Sequence, residues 1–264
     1  MAVALDRATI EQLANELLDA ERTRIAIGPL TERYPAMDVR DAYAIQLAII
    51  AKKTAAGARV VGKKIGLTSL AMQRQLGVDQ PDYGHLLDTM TVVEGADVPV
   101  ATLLQPRVEP EIAFVLKHDL PGPGVTREQV LTATAYITPA IEIIDSRVRD
   151  WKIKLCDTVA DNGSSARVVL GSTIAPVDAV DLRLVGCVLE KNGEVVGTAA
   201  GAAALGDPAV SVAWLANTLA AFGIPLKAGE IILPGALTRS EPVRAGDIIR
   251  ATYDRLGSVS VRFV

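Results

Sequence analysis

Histidine and cysteine are almost absent from this chain, with two of each in 264 residues. Cys156 and Cys187 share no CxxC pair and no metal-ligand spacing, so they read as small buried hydrophobes in a reducing compartment. Aromatic residues make up 4% and the net charge is -4, which gives neither a stacking platform for bases nor a basic surface for nucleic acid. No apolar stretch reaches the ~18 uncharged residues that a membrane span needs, and the N-terminus lacks the basic-then-apolar pattern of a signal peptide. A soluble, cytoplasmic protein without membrane or nucleic-acid partners is expected. GxGxxG and GxxxxGK[ST] are both missing, and strict βαβ alternation is missing too, which disfavours a Rossmann or P-loop fold.

What the chain has is apolar residues in abundance, 50% against 22% charged, enough for a sizeable core. Residues 9–21 place Ile10, Leu13, Ala14, Leu17 and Leu18 at helical spacing, with Thr9 and Gln12 as a capping box. A second helix is expected over 38–56, stopped by Gly57. Beyond it the pattern turns to strands, at 59–65, 111–117, 139–145, 166–170, 182–190, 194–198, 230–233, 247–253 and 258–264. Asn192-Gly193 marks a hairpin between two of them. Helices are expected at 69–76, at 126–135 with Thr126 and Gln129 as caps, and at 208–222 behind Asp207-Pro208. The organisation is α+β, a mixed curled sheet (59–264) preceded by an N-terminal helical subdomain (1–58).

Acidic residues within the apolar runs carry the chemistry. Glu109 and Glu111, two apart in a strand, face the same side, and Glu142 sits inside the apolar run of Ile141, Ile143 and Ile144. Buried carboxylates need a partner. A salt bridge from Arg107 or Arg147 would serve Glu142. Three carboxylates with almost no histidine otherwise point to an all-oxygen site for a hard ion such as Mg²⁺ or Mn²⁺. On spacing alone, Lys64 is a solvated strand residue facing opposite to Lys63, and Asp82 is a turn aspartate. His85 and His118 form no recognisable dyad.

Longer motifs join these positions. "VGKKIGLTS", "GVDQPDYGHLLD", "LLQPRVEPEIAFVL", "PAIEIIDSRVRDWKIKLCDTVADNGSS" and "AGDIIRATYDRLGSVSVRF" resemble the 2-keto-4-pentenoate hydratases, also called 2-hydroxypenta-2,4-dienoate hydratases, of the fumarylacetoacetate hydrolase superfamily. The similarity runs in order through nearly the whole chain and implies a mixed β-roll behind N-terminal helices. It also implies metal ligation by Glu109, Glu111 and Glu142, with proton transfer by Lys64 and Asp82. A substrate pocket lined by Leu67, Asn162, Ser164 and Thr238 follows by the same carry-over. The implied reaction adds water to 2-hydroxypenta-2,4-dienoate in aromatic meta-cleavage catabolism. A homo-oligomer is implied, as is association with a pathway decarboxylase or aldolase, and the apolar faces of 208–222 and 258–264 are candidate contacts. Gly163, Ala199, Asp207 and Pro234 depart from the family pattern in loops that bear on the substrate tail. Two sister activities share the motifs: 4-oxalocrotonate decarboxylase, and hydration of a longer dicarboxylic dienoate for which Arg239 offers a distal partner.

Overall fold

A computed structural model describes residues 5–69, 73 and 80–264, and among these residues the protein has two sheets and six α-helices. The helices are α1 (Arg7–Thr23), α2 (Leu30–Arg33), α3 (Val39–Ala55), α4 (Arg127–Ala133), α5 (Leu155–Ala160) and α6 (Pro208–Ala220). The strands are β1 (Val60–Gly66), β2 (Asp82–Leu87), β3 (Thr91–Val92), β4 (Asp97–Val98), β5 (Arg107–Leu116), β6 (Thr134–Ile144) and β7 (Ser165–Leu170). They continue with β8 (Gly186–Lys191), β9 (Glu194–Ala200), β10 (Ile231–Leu233), β11 (Glu241–Pro242), β12 (Ile248–Tyr253) and β13 (Gly257–Phe263). The larger sheet runs β2-β1-β10-β5-β6-β7-β3, with β11 added to one end of β5. The smaller runs β4-β13-β12-β8-β9. The α+β expectation and each long strand are therefore present.

Local chemistry explains most element boundaries. Asp38 caps α3 with Asp41 as its reciprocal partner, and Gly57 just beyond takes φ of 105°. Asp207 caps α6 through the Ala209 N–H at 2.8 Å and pairs with Arg127 at 2.6 Å. Asn192 and Gly193 adopt φ of 55° and 85°, the paired left-handed turn expected of Asn-Gly. The first helix differs from expectation. Asp6, not Thr9, is its cap, accepting the Thr9 N–H at 2.7 Å, and Gln12 instead bonds Glu16. The helix expected over 69–76 lies outside the described residues except at Ser69 and Gln73.

Two segments read as turn or loop are regular structure. Residues 82–87 form β2, buried along its whole length, and 155–160 form α5. Neither shows a strong apolar period, because their polar residues Asp82, His85, Asp157 and Thr158 are buried against partners within the protein rather than turned to solvent. Helix α3 fixes both: Gln46 Nε2 donates to Tyr83 O at 2.9 Å and to Val159 O at 2.6 Å, while its Oε1 meets His85 Nδ1 at 2.9 Å. Burial holds the His85 imidazole down at about 4, so it is a neutral structural pin.

Leu13, Leu17, Tyr43 and Ile45 of the N-terminal helices join one hydrophobic core with Phe114 and Ile141 of the sheet. That core also takes up Val212, Leu215 and Leu219 of α6 and Val259, Val261 and Phe263 of β13. The two faces expected to meet another subunit are thus mostly covered within the chain. Exposed apolar side chains instead gather on the smaller sheet, at Val188, Val195, Val196 and Ile248. Among the described residues no helix is long and apolar enough to cross a membrane.

Lys63 is the fold's main surprise. It does point away from Lys64, but into the protein, where its ammonium meets both Glu230 oxygens at 2.6 Å with 3% of the residue exposed. Removing one member of a buried pair strands the other charge, at a cost of about 3–5 kcal/mol. Lys63→Met should lose about that much stability in urea unfolding, and Lys63→Met with Glu230→Leu should recover much of it; a single variant as stable as the wild type would contradict the pairing.

Candidate active site

Strand register assembles the carboxylates. Antiparallel β5 and β6 pair Glu109 directly with Glu142 and Glu111 with Ala140. Residues opposite each other in such a pair project to the same face, so Glu142 meets the two glutamates one strand away. One oxygen from each of the three lies within 4.8 Å of the others. Glu111 and Glu142 are completely buried and Glu109 is half-buried.

Their partners are too few for three charges. Glu111 Oε2 accepts the Gly235 N–H at 2.7 Å, whereas Glu111 Oε1 and both Glu142 oxygens are buried without a hydrogen-bond donor. Arg147, one candidate neutraliser of Glu142, is committed to Asp161 at 2.5 Å. Arg107 lies over the Trp151 ring at 5.0 Å. Burial raises all three carboxyls: Glu109 to about 7, Glu142 above the ordinary range despite Lys64, and Glu111 well above it, with Glu142 and Glu109 adding repulsion. Orphaned oxygens, an all-carboxylate donor set and this proximity fit a hard divalent cation.

Lys64 and Asp82 complete the same face. Lys64 Nζ lies 3.5 Å from Glu142 Oε2 and 3.7 Å from Asp82 Oδ1, and donates to Gly163 O at 3.0 Å. Burial opposes its charge, but Glu142 and Asp82, then Glu109 and Glu111, outweigh burial and hold the ammonium above the usual lysine range. Neither residue is the solvated lysine or turn aspartate that spacing suggested; both are buried. Asp82 Oδ2 accepts the Thr158 hydroxyl at 2.7 Å, leaving Oδ1 buried and without a donor. Register pairs Gly66 with Asp82. A Cβ on Gly66 would fall 2.2 Å from Asp82 Oδ1 and 2.9 Å from Lys64 Nζ, so the two functional groups meet only because residue 66 has no side chain.

The remaining expected site residues divide. Leu67, held at φ of 56°, and Thr238 line a cavity of about 210 Å³ that reaches Glu109, together with Thr68, Arg107 and Arg239. Asn162 and Ser164 do not line it. The Asn162 amide clamps β2, accepting the His85 N–H at 2.7 Å and donating to His85 O at 2.9 Å. The Ser164 hydroxyl donates to Asp161 Oδ2 at 3.1 Å. Asn162, Gly163 and Ser164 carry φ of 58°, 60° and 53°. A non-glycine residue held there costs of order 1–3 kcal/mol, and the turn it forms presents the Gly163 carbonyl to Lys64. Thr158, Gly66 and Gly235 were not singled out for the site from sequence, and Gly163 only as a departure from the family pattern. Only the dense Gly and Asn punctuation around them hinted at close backbone approach.

The fumarylacetoacetate (FAA) hydrolase C-terminal family profile matches residues 62–264. The chain is 48% identical over 260 residues to the 2-hydroxyhexa-2,4-dienoate hydratase of Comamonas testosteroni, covering 98% of each. It is 47% identical over 253 residues to a 2-keto-4-pentenoate hydratase of Paraburkholderia xenovorans, covering 96% of this chain and 94% of that one. The solved 4-oxalocrotonate decarboxylase from Pseudomonas putida G7, complexed with magnesium and adipate, superposes at a TM-score of 0.97 with 44% identity over 100% of both chains. With most of the chain matched by the family profile and nearly all of it by these relatives, the protein belongs to the fumarylacetoacetate hydrolase family.

Proposed function

We propose that the protein is a divalent-metal-dependent hydro-lyase that adds water to 2-hydroxypenta-2,4-dienoate, giving 4-hydroxy-2-oxopentanoate in aromatic meta-cleavage catabolism. One observation carries this reading: Lys64 and the unpartnered Oδ1 of Asp82 stand against the Glu109–Glu111–Glu142 cluster in a chain 48% and 47% identical to two dienoate hydratases. Glu109, Glu111 and Glu142 would hold Mg²⁺ or Mn²⁺. The ion, when bound, supplies Lewis-acid charge to the substrate's carboxylate and 2-oxygen.

The chain's own groups handle the protons. Asp82 Oδ1 has no donor of its own and accepts a proton, first from the enol hydroxyl and then from the attacking water. Lys64, kept cationic by the surrounding carboxylates, delivers one to carbon five, takes over the enol proton from Asp82 and so frees it for the water, delivers that proton to carbon three, and is restored by the proton Asp82 then holds. Hydroxide adds at carbon four between those transfers, so one water enters and no carbon is lost. Glu111 and Glu142, wholly buried, exclude solvent from this end. The chain is also proposed to work as a homo-oligomer in the cytoplasm, with the exposed valines and Ile248 of the smaller sheet as one apolar patch that could meet another subunit.

Decarboxylation of 4-oxalocrotonate is the second reading, favoured by Arg107 and Arg239 in the cavity wall, which offer charge to a second carboxylate. Parallel assays separate the two. A hydratase consumes the dienol of 2-hydroxypenta-2,4-dienoate without gas release, whereas a decarboxylase leaves that compound alone and releases carbon dioxide from 4-oxalocrotonate.

Chelation should abolish turnover, and Mg²⁺ or Mn²⁺ should restore it; full activity in protein verified metal-free would sink the metal assignment. Without metal, the Glu109 carboxyl binds its proton more tightly folded, at about 7, than at its ordinary 4.5. The folded state then holds more protons between those values, so this group's contribution to stability falls as pH rises through the window. Thermal midpoints of stripped protein should decline over that interval, Glu109→Gln should flatten the decline, and added Mg²⁺ should restore most at the upper end. Lys64→Met should keep the fold, shown by circular dichroism, while losing about 10²–10⁴-fold in kcat. Near-normal turnover would remove Lys64 from the proton relay.

A further inference from the structure

Asp82 sits on β2, an edge strand of the larger sheet that pairs with β1 on one side. On its other side two side-chain amides bond the backbone groups that a neighbouring strand would otherwise take. Gln46 of α3 donates from Nε2 to Tyr83 O at 2.9 Å, and the Asn162 amide bonds both the N–H and the carbonyl of His85. The same Gln46 nitrogen donates to Val159 O on α5 at 2.6 Å. Tyr83 and Val159 directly follow Asp82 and Thr158 in the chain. One amide therefore spans the backbone beside each partner of the 2.7 Å bond from the Thr158 hydroxyl to Asp82 Oδ2. Gln46 is itself fully buried, and its Oε1 meets His85 Nδ1 at 2.9 Å, so every polar atom of the amide is engaged. Asp157 ties the start of α5 to α2, accepting the Thr31 N–H at 3.0 Å and its hydroxyl at 2.7 Å.

The distance at stake is the one between Asp82 and Lys64. Lys64 Nζ stands 3.7 Å from Asp82 Oδ1, too far for a hydrogen bond, although burial strengthens their attraction. At that distance a small motion passes a proton between them, while Oδ1 is otherwise free to take one from substrate. An untethered carboxylate would settle on the ammonium, and its lone pair would be committed when the enol hydroxyl needs it. Thr158 restrains Asp82 by its other oxygen, and it can do so only while α5 stays in register with β2. The residues that set this register, Gln46 and Thr31, belong to the N-terminal helices, which precede the 62–264 segment matched by the family profile.

We propose that Gln46 is a positioning residue for the proton acceptor: from the N-terminal helical layer it locks β2 to α5, keeps the Thr158 hydroxyl on Asp82 Oδ2, and so holds Oδ1 apart from Lys64. The inference rests on the assignment of Lys64 and Asp82 to proton transfer. It leaves the three glutamates aside, since β5 and β6 hold those in their own register. Loss of the tether should therefore slow turnover without weakening the binding of metal or substrate. A displacement of about 1 Å at reacting groups costs about 10²-fold, and release of one tether should cost about 10–100-fold in kcat.

The test compares the Mg²⁺-loaded wild type with Gln46→Met, Thr158→Val, Thr158→Ser and the Gln46→Met/Thr158→Val double variant. It measures kcat and KM with 2-hydroxypenta-2,4-dienoate, Mg²⁺ affinity by calorimetry, and crystal structures of Gln46→Met and Thr158→Val. Either single loss should lower kcat by about 10–100-fold while KM and Mg²⁺ affinity stay within about twofold, and Thr158→Ser, which keeps the hydroxyl, should retain most of the rate. Because Gln46 acts through Thr158, the double variant should be no slower than the slower single one. Both structures should show Lys64 and Asp82 drawn together to hydrogen-bond distance. Losses that multiply in the double variant, or a Gln46→Met structure that keeps both the Thr158–Asp82 bond and the gap to Lys64, overturn the positioning role. Where Gln46→Met does not fold, Gln46→Asn retains a buried amide one methylene too short to reach both carbonyls, and an unchanged kcat in Thr158→Val overturns the role by itself. A wild type that hydrates no dienoate, with the same collapse in the variant structures, would keep the role of Gln46 and reject the hydratase reading.

Discussion

Four carboxylates and one ammonium share a buried face, and their charges do not balance. Asp82, Glu109, Glu111 and Glu142 stand around Lys64, which touches Glu142 and Asp82 most closely. Fully ionised, the group carries an excess of negative charge in a place where water cannot screen it. In the metal-free protein burial, with repulsion among the carboxylates, raises all three glutamate carboxyls. A divalent cation would answer the same imbalance without protons.

The surrounding scaffold reads as a set of devices that keep those five groups together. Gly66 removes the side chain that would separate Lys64 from Asp82, and Thr158 fixes one Asp82 oxygen so that the other stays available. Behind them, Arg147 binds Asp161 and donates to the Asp145 carbonyl at 2.7 Å, while the Asp145 carboxylate collects the N–H groups of Leu104 and Gln105 at 2.7–3.0 Å. That network anchors the ends of β6 and β7 and holds the turn that carries Gly163 to Lys64. Burial lifts the Asp161 carboxyl to about 6 against the pull of Arg147, so this support is itself at its strongest when Asp161 is ionised.

Much of this was legible in the residues. Alternation put Glu109 and Glu111 on one side, the apolar neighbours of Glu142 marked it as buried, and Thr126, Asp207 and Asn192-Gly193 announced their caps and turn. Other signals misled for a common reason. Lys64 looked like a solvated residue and Asp82 like a turn residue, because spacing reports which face a side chain takes, not what covers that face. Lys63 shows the same limit: its direction was right, yet Glu230, far away in sequence, makes that face an interior. Asn162 and Ser164 sit in the correct turn, but their polar atoms serve His85 and Asp161, a division of labour that no local pattern encodes.

The sequence by itself determined the α+β class, most of the longer strands, three glutamates set in apolar runs and, through motifs spread along the chain, the family. Those properties are local or compositional: periodicity, capping chemistry, and the scarcity of histidine and cysteine. Tertiary structure alone decided that Glu142 stands opposite Glu109, that Lys64 and Asp82 join them, and that Glu109 reaches a cavity lined by Leu67 and Thr238. Each depends on which strands pair and in what register, and a shift of one residue would turn every side chain of a strand to the other face.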